Sequence, residues 1–222
     1  MKYLILFIAF GCHGICFCQE ISILNEIPKN GVRFYIGFQK VNEKFNYIQA
    51  AQKYNCEKAG SLLQKVELHR AIIPVNNGGR RFGEPASTSF YLKIYDVDSL
   101  TGGPGKSLIK DAFMVRNGTN SIVKIDLKKQ KIVIPGKAFF VGIEWIFDKH
   151  NQRLMNIKPD QFIKDKRFEV ADLIYQPFLG MVKNNKAYSD AWVMTPEHTW
   201  KLYTHNLPYM TDLSITAYIE SK

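Results

Sequence analysis

The sequence is poor in cysteine and, beyond its first residues, in long apolar runs. Only 4 of the 222 residues are cysteine, and three of them, Cys12, Cys16 and Cys18, lie near the N-terminus. The rest of the chain contains Cys56 alone, so it predicts no internal disulfide bond. No later segment is apolar over the roughly 20 residues that a membrane-spanning helix requires. Past its N-terminal segment the chain is therefore predicted to have no transmembrane helix.

The usual signatures of catalysis and cofactor binding are also missing. The sequence has no phosphate loop, no nucleotide-binding glycine fingerprint and no recognisable Ser-His-Asp constellation. Its later histidines follow no metal-ligand spacing. Asp96 and Asp98 resemble the start of a calcium loop, but the central glycine and the terminal glutamate of such a loop are absent, which favours an Asx-type turn. We therefore predict no metal ion and no cofactor, and a non-catalytic protein rather than an enzyme.

The first 18 residues have the plan of a secretory signal peptide. Lys2 supplies a short basic region, an apolar run follows to about residue 17, and Cys16 and Cys18 stand as small residues before the predicted cleavage site. We expect cleavage after Cys18 or one residue later, and export to the periplasm, the outer surface or the medium. Two alternatives are less favoured: a membrane anchor, which Gly11 and other breaks interrupt, and a lipoprotein acylated at Cys12.

The chain is basic, with 30 Lys and Arg against 20 Asp and Glu and a formal net charge of +10. The excess falls in clusters at residues 128–131, 149–153, 164–167 and 183–186, in stretches rich in turn signals, which indicates solvated loops. A basic surface favours adhesion to acidic polysaccharides or lipid headgroups. Nucleic acid is a poor fit as a partner, because the chain has no recognised binding motif and is predicted to be exported.

Alternation of apolar and polar residues dominates the remainder and predicts β-strands. In residues 89–96, for example, Phe90, Leu92 and Ile94 share one face. Further strands are predicted, one of them at 45–51, and Gly- and Asn-rich turn signals, among them residues 101–105, separate many such segments. This pattern indicates an antiparallel sandwich or barrel in a single domain over residues 19–222, with 19–32 as an uncertain lead-in. The predicted core includes Phe90, Leu92, Ile94, Val123, Ile125, Val141, Ile143, Ile215 and Ile219.

Four segments carry a resemblance to a known family: YLKIYDVD at 91–98, TGGPGKSL at 101–108, IDL at 125–127 and FFVGIEW at 139–145. Together they resemble a family of exported proteins common in Bacteroidota, in which this β-sandwich often follows a small carboxypeptidase-regulatory-like domain. Residues 19–32 are too few for that domain. The resemblance implies a jelly-roll-like β-sandwich and no particular activity.

Aromatic residues near the C-terminus, chiefly Trp192, Trp200 and Tyr203, are the candidates for a binding platform, because sugars stack on exposed rings; filling of the core is the alternative. Glu144 lies among apolar residues within a predicted strand. It is either a catalytic carboxylate, with Asp126 as a conceivable companion, or a solvent-facing residue paired with a cross-strand lysine such as Lys93 or Lys124. Glu144 is also the fourth candidate for ligand binding, beside the three aromatic residues.

Two functions therefore stay open. The favoured one is an exported, non-catalytic module that binds a polysaccharide or a partner protein at the cell surface or in the periplasm. The alternative is a carbohydrate-active jelly-roll enzyme that uses Glu144 as acid or base. The two differ in what surrounds Glu144: the enzyme needs a concave pocket with a second ionisable group, whereas the binding module does not.

Overall fold

The computed structural model describes residues 20–28, 30–39, 46–71, 76–77, 80–81, 87–118, 120–157, 170–204 and 209–221. The predicted signal peptide, including Cys12, Cys16 and Cys18, and His205 lie outside the described residues. Strands dominate the described part, and none of its helices is long and apolar enough to cross a membrane. The strands, numbered in chain order, are β1 (Ile21–Leu24), β2 (Val32–Gln39), β3 (Gln49–Asn55), β4 (Leu62–Ala71), β5 (Asn76–Asn77), β6 (Arg80–Arg81), β7 (Thr88–Val97), β8 (Pro104–Ser107), β9 (Phe113–Asn117), β10 (Ile122–Asp126), β11 (Ile132–Val133), β12 (Ala138–Trp145), β13 (Gln152–Ile157), β14 (Val170–Lys183), β15 (Ala191–Met194), β16 (Trp200–Leu202), β17 (Thr211–Leu213) and β18 (Ile215–Glu220).

Two antiparallel sheets pack face to face. The larger has nine strands in the described part of the chain, with the order β1-β18-β4-β14-β13; β10 and β11 also pair with β4, and β2 and β17 with β14. Among the same described residues the smaller has seven strands in the order β16-β15-β3-β12-β7-β8, with β9 also paired to β7. Strands β5 and β6 form a separate hairpin. The all-β, antiparallel sandwich predicted from the sequence is confirmed.

The core lies between the two sheets and is built from the alternating residues that the sequence predicts. All nine predicted core residues are buried, and they belong to one continuous apolar cluster. Burial of each such side chain contributes roughly 1.5–3 kcal/mol. Trp145 joins this core, and its indole Nε1 donates a hydrogen bond to Pro177 O at 2.8 Å.

Several strand limits differ from the prediction. The segment 101–105 was predicted as turn only, but Pro104 begins β8, because the turn after β7 closes earlier, with Gly102 N donating to Asp98 O. Strand β3 lies four residues later than the predicted 45–51. Both faces of β3 are covered, one by the core and the other by aromatic rings. The strand therefore lacks the alternation of apolar and polar residues, and small and polar residues such as Ala51 and Gln52 do not reveal it in the sequence.

Candidate functional site

The outer face of the seven-stranded sheet has a floor of small residues. In one row across four strands, Trp192 of β15 is in register with Ala51 of β3, Ala51 with Gly142 of β12, and Gly142 with Lys93 of β7. A Cβ on Gly142 would lie 2.7 Å from the Cα of Ala51, so this position admits only glycine without movement of the backbone. The two small residues leave room for rings to lie across the middle of the sheet.

Four aromatic rings occupy that space. Tyr95 and Phe140 are buried, and Trp192 and Trp200 are partly exposed. The Tyr95 and Trp200 rings meet edge to face with centroids 5.7 Å apart, and the Phe140 and Trp192 rings do so at 6.2 Å. We call this group, with its floor of Ala51 and Gly142, the aromatic face. Ring pairs of this geometry contribute about 0.5–1.5 kcal/mol each beyond area burial.

The loop between β7 and β8 holds one side of the aromatic face. A Cβ on Gly103 would lie 2.7 Å from Cζ3 of Trp192, so the indole rests directly on the glycine backbone. Asp98 shapes this loop: its Oδ1 accepts hydrogen bonds from Leu100 N at 2.8 Å and Thr101 N at 2.9 Å. These backbone donors, Thr101 first and Leu100 second, lower the pKa of Asp98. The Asx-type turn predicted here is confirmed.

A chain of polar contacts runs beside the rings. The Tyr95 hydroxyl donates to Gln49 Oε1 at 2.5 Å, Gln49 Nε2 donates to Glu144 Oε2 at 3.3 Å, and Lys93 Nζ lies 2.6 Å from the same carboxylate oxygen. Burial, followed by the charge of Glu144, raises the pKa of Tyr95, so the phenol remains a neutral donor. This chain places a hydroxyl, an amide, a carboxylate and an ammonium group next to an apolar surface.

The expected pairing of Glu144 with Lys93 is thus what the structure contains, with the two side chains 32% and 27% exposed. Asp126, the conceivable second carboxylate, lies on β10 of the other sheet, where it accepts a hydrogen bond from Lys128 N. That companion was a wrong expectation, because the sequence could not tell which sheet each strand joins. Lys124, the other expected lysine, faces Glu67 at 3.8 Å.

Three of the four residues predicted as a site share the outer face: Trp192, Trp200 and Glu144. Tyr203 does not join them. It follows the last residue of β16, donates its backbone N–H to Ala191 O, and turns its ring into the core between the sheets. Burial raises the pKa of Tyr203 to about 12, and only 7% of the residue is exposed. We therefore leave Tyr203 out of the candidate binding surface.

A pocket of about 840 Å³ opens at one end of the sandwich, and sequence reasoning missed it. The connection between β1 and β2 forms one wall, and the ends of β3 and β14 form the others. We call it the end pocket. Asp190 and Asp212 are buried on its wall, and Asp190 N donates to Asp212 Oδ1 at 2.9 Å. These aspartates are 22 residues apart, and only the spacing of Lys186 four residues before Asp190 hinted at a contact.

Lys186 pairs with both aspartates and offsets one of their two negative charges. Its Nζ contacts Asp190 Oδ2 directly and lies 3.9 Å from Asp212 Oδ2. Burial alone would lower the pKa of Lys186, but the hydrogen bond to Asp190 and the attraction of Asp212 and Asp190 outweigh it and raise the pKa. Among the described residues, no three His, Cys, Asp or Glu side chains come close enough together to hold a metal ion.

No family model matches the chain, and no curated protein matches it. The solved structures similar to it include the cysteine protease and lectin-like domains of Cwp84, a surface layer associated protein of Clostridium difficile, at a TM-score of 0.44 with 10% identity over 80% of this chain. Another is the clostridial cysteine protease Cwp84 after propeptide cleavage, at a TM-score of 0.50 with 9% identity over 91% of this chain. The chain spans 33% and 40% of those two solved chains. The likeness concerns the β fold alone, and the resemblance to the Bacteroidota family stays a prediction.

Proposed function

We propose that the chain is an exported, non-catalytic module that binds a glycan across the aromatic face. The observation that carries this proposal is the row of partly exposed tryptophans, Trp192 and Trp200, beside the polar chain from Tyr95 to Lys93. A pyranose ring has an apolar face of C–H groups and a rim of hydroxyls. It therefore needs a flat apolar surface next to amide, carboxylate or ammonium groups, and these are the groups present.

The preorganisation of the rings supports binding rather than simple exposure of apolar residues. Trp192 is fixed between Phe140 and Gly103, and Trp200 rests against Tyr95. Rings already held in place lose little conformational entropy when a ligand stacks on them, and a ligand gains affinity through this saving. The proposed export rests on the N-terminal sequence, which has the plan of a signal peptide.

The surroundings of Glu144 favour binding over catalysis. The carboxylate is bound by Lys93 and Gln49, and the carboxylate expected as its companion lies in the other sheet. Glycosidases of the usual type place two carboxyl groups on either side of one scissile bond, roughly 5–10 Å apart. A lysine-paired glutamate on a sheet face has a simpler use as an acceptor for sugar hydroxyls. The carbohydrate-active enzyme is therefore not our proposal.

A glycan array tests the proposal with four proteins: wild type, Trp192→Ala, Trp200→Ala and the control Tyr35→Ala. Tyr35 lies on β2 of the other sheet and is an aromatic residue more exposed than either tryptophan, 45% accessible. We expect wild type and Tyr35→Ala to bind the same glycans. Each tryptophan variant should bind them about two- to tenfold more weakly, because loss of one stacked ring costs about 0.5–1.5 kcal/mol.

Two results would contradict the proposal. One is that wild type binds no glycan on the array. The other is that both tryptophan variants bind the same glycans as strongly as wild type while their thermal unfolding is unchanged. Hydrolysis of a bound glycan that disappears in Glu144→Gln would instead favour the enzyme.

A further inference from the structure

The end pocket carries a surplus of positive charge that its own residues do not use. Among the residues that the structure describes, four cations stand on its wall, Arg33, Lys53, Lys183 and Lys186, against three carboxylates, those of Glu26, Asp190 and Asp212. Lys186, whose side chain is itself partly exposed, pairs with the two buried aspartates and offsets one of their two charges. The other three cations outweigh the charge that remains on the carboxylates, so the described wall presents a net surplus of one positive charge to a ligand.

None of these three cations has a carboxylate within 4.0 Å among the residues that the structure describes. Lys53 Nζ donates to Gly102 O at 3.2 Å and lies 5.8 Å from the centre of the Phe140 ring. Lys183 Nζ lies 5.5 Å from the Tyr209 ring centroid. Carbonyl and ring contacts leave the positive charge uncompensated, so an anionic group that enters the pocket gains charge-assisted hydrogen bonds without breaking an ion pair.

The other polar groups of the pocket suit a sugar. Of the residues described, five asparagines line it, and two of them are already engaged: Asn25 Nδ2 donates to the carbonyls of Leu213 and Ile215, and Asn184 Oδ1 accepts from Lys186 N. The other three, Asn30, Asn55 and Asn185, are exposed amides that both donate and accept, as hydroxyl recognition requires. The volume of about 840 Å³ falls in the range of roughly 300–1,000 Å³ typical of small-ligand sites.

Lys53 connects the pocket to the aromatic face. Its side chain lines the end pocket, while its ammonium group lies over Phe140, which packs against Trp192. A chain of sugars can thus continue from one surface to the other past this lysine.

We infer that the end pocket binds the anionic group of an acidic oligosaccharide, a carboxylate or a sulfate on a sugar, with Arg33, Lys53 and Lys183 as its cationic partners. This inference rests on the proposed function for the continuation of the same glycan onto the aromatic face. The pocket itself is testable alone, with a ligand too short to depend on that face.

The probe is digalacturonate, a disaccharide with two carboxylates, and its matched control is the neutral digalactose of the same linkage. Isothermal titration calorimetry compares wild type with Arg33→Gln, Lys183→Gln and Lys128→Gln. Lys128 is exposed on a single 3₁₀ turn and does not line the pocket, so its substitution removes the same charge from elsewhere. A sulfated disaccharide forms a second arm that distinguishes a carboxylate ligand from a sulfate ligand.

We expect digalacturonate or the sulfated disaccharide to bind at least tenfold more tightly than digalactose. Arg33→Gln and Lys183→Gln should each weaken that binding by about tenfold, whereas Lys128→Gln should leave it unchanged, because only the first two remove a charge-assisted hydrogen bond. Since Arg33 and Lys183 are exposed, both variants should keep the wild-type melting temperature.

The inference is overturned if digalactose binds as tightly as both acidic disaccharides, if neither acidic disaccharide binds, or if Lys128→Gln weakens binding as much as the pocket variants. The last result would indicate only long-range attraction by the net charge. Trp200→Ala should not affect disaccharide binding. If wild type binds neither acidic disaccharide but binds a polymeric glycan through its tryptophans, only the pocket inference is refuted. If wild type binds an acidic disaccharide but shows no tryptophan-dependent binding of a polymeric glycan, only the proposed function is refuted.

Discussion

Replacement of Gly103 by alanine tests the contact that fixes Trp192 in the aromatic face. A Cβ at this position would stand 2.7 Å from Cζ3 of the indole and 3.1 Å from Cε3 and Cη2, whereas ordinary contacts begin at 3.4 Å. The ring must therefore retreat by several tenths of an ångström. The ring has little room to do so, because its other neighbours include Phe140 and the small floor residues.

The expected cost of Gly103→Ala follows from overpacking. Extra atoms in a close-packed site destabilise a protein by about 1–3 kcal/mol. In a chain of this length, 1 kcal/mol lowers the melting temperature by about 2–4 °C, so we expect a decrease of about 2–12 °C in thermal unfolding followed by circular dichroism. Gly136→Ala is the matched control, because the nearest atoms to its Cβ are 3.9 Å away, and it should melt within about 2 °C of wild type.

A double-mutant cycle makes this test specific. In a Trp192→Ala background the clash disappears, so Gly103→Ala should no longer lower the melting temperature. The reasoning is refuted if Gly103→Ala melts like wild type with an unchanged near-ultraviolet spectrum of its tryptophans, or if its cost is the same with and without the indole. The first result would show that the loop does not hold Trp192 by this contact. The second would show that the destabilisation by Gly103→Ala arises from the backbone and not from the indole.

Three further predictions concern other parts of the molecule. Backbone N–H groups of Thr101 and Leu100 lower the pKa of Asp98, so the stability that this turn adds is present above the ordinary pKa of 3.8 and is lost as the pH falls through the lowered folded value. Tryptophan fluorescence should report this loss, and Asp98→Asn should remove the share of the pH dependence that Asp98 contributes. Arg70 is 2% exposed and donates to the carbonyls of Asn120 at 3.0 Å and Gly118 at 2.5 Å. Arg70→Met should therefore lower the free energy of unfolding, measured with urea, by about 2–6 kcal/mol. A decrease of less than about 1 kcal/mol would contradict the structural role of these hydrogen bonds. Burial raises the pKa of the Cys56 thiol, so alkylation by iodoacetamide at pH 8 should be slower than for an unstructured cysteine peptide and should accelerate towards pH 10.

The fold was predictable from sequence because its signal is local. Phe90, Leu92 and Ile94 alternate with polar or half-buried residues along one strand, and burial of one face follows directly from that period of two. Strand β3 escaped this logic, since Ala50 and Ala51 are small and both faces of the strand are covered. An alternation rule recognises strands with one polar face and loses those with two covered faces.

The candidate site was less predictable because it depends on which strands become neighbours. Trp192 and Glu144 were singled out separately, but only the pairing of β3 with both β12 and β15 brings them to one surface. Tyr203 was misplaced because it lies just after the end of β16, where alternation no longer dictates the direction of a side chain. Asp190 and Asp212 had no motif at all, since their contact arises from strands far apart in sequence.

Retention of the protein on an immobilised acidic polysaccharide over a salt series tests the central claim most directly. Attraction by net charge is screened over about 3 Å at 1 M salt, whereas stacking of sugar rings on tryptophan is little affected. Our account predicts that wild type remains retained on alginate at 1 M sodium chloride and that Trp192→Ala and Trp200→Ala elute early at that salt concentration. The account would be contradicted if wild type is no longer retained once salt is added and if both tryptophan variants are retained like wild type at low salt.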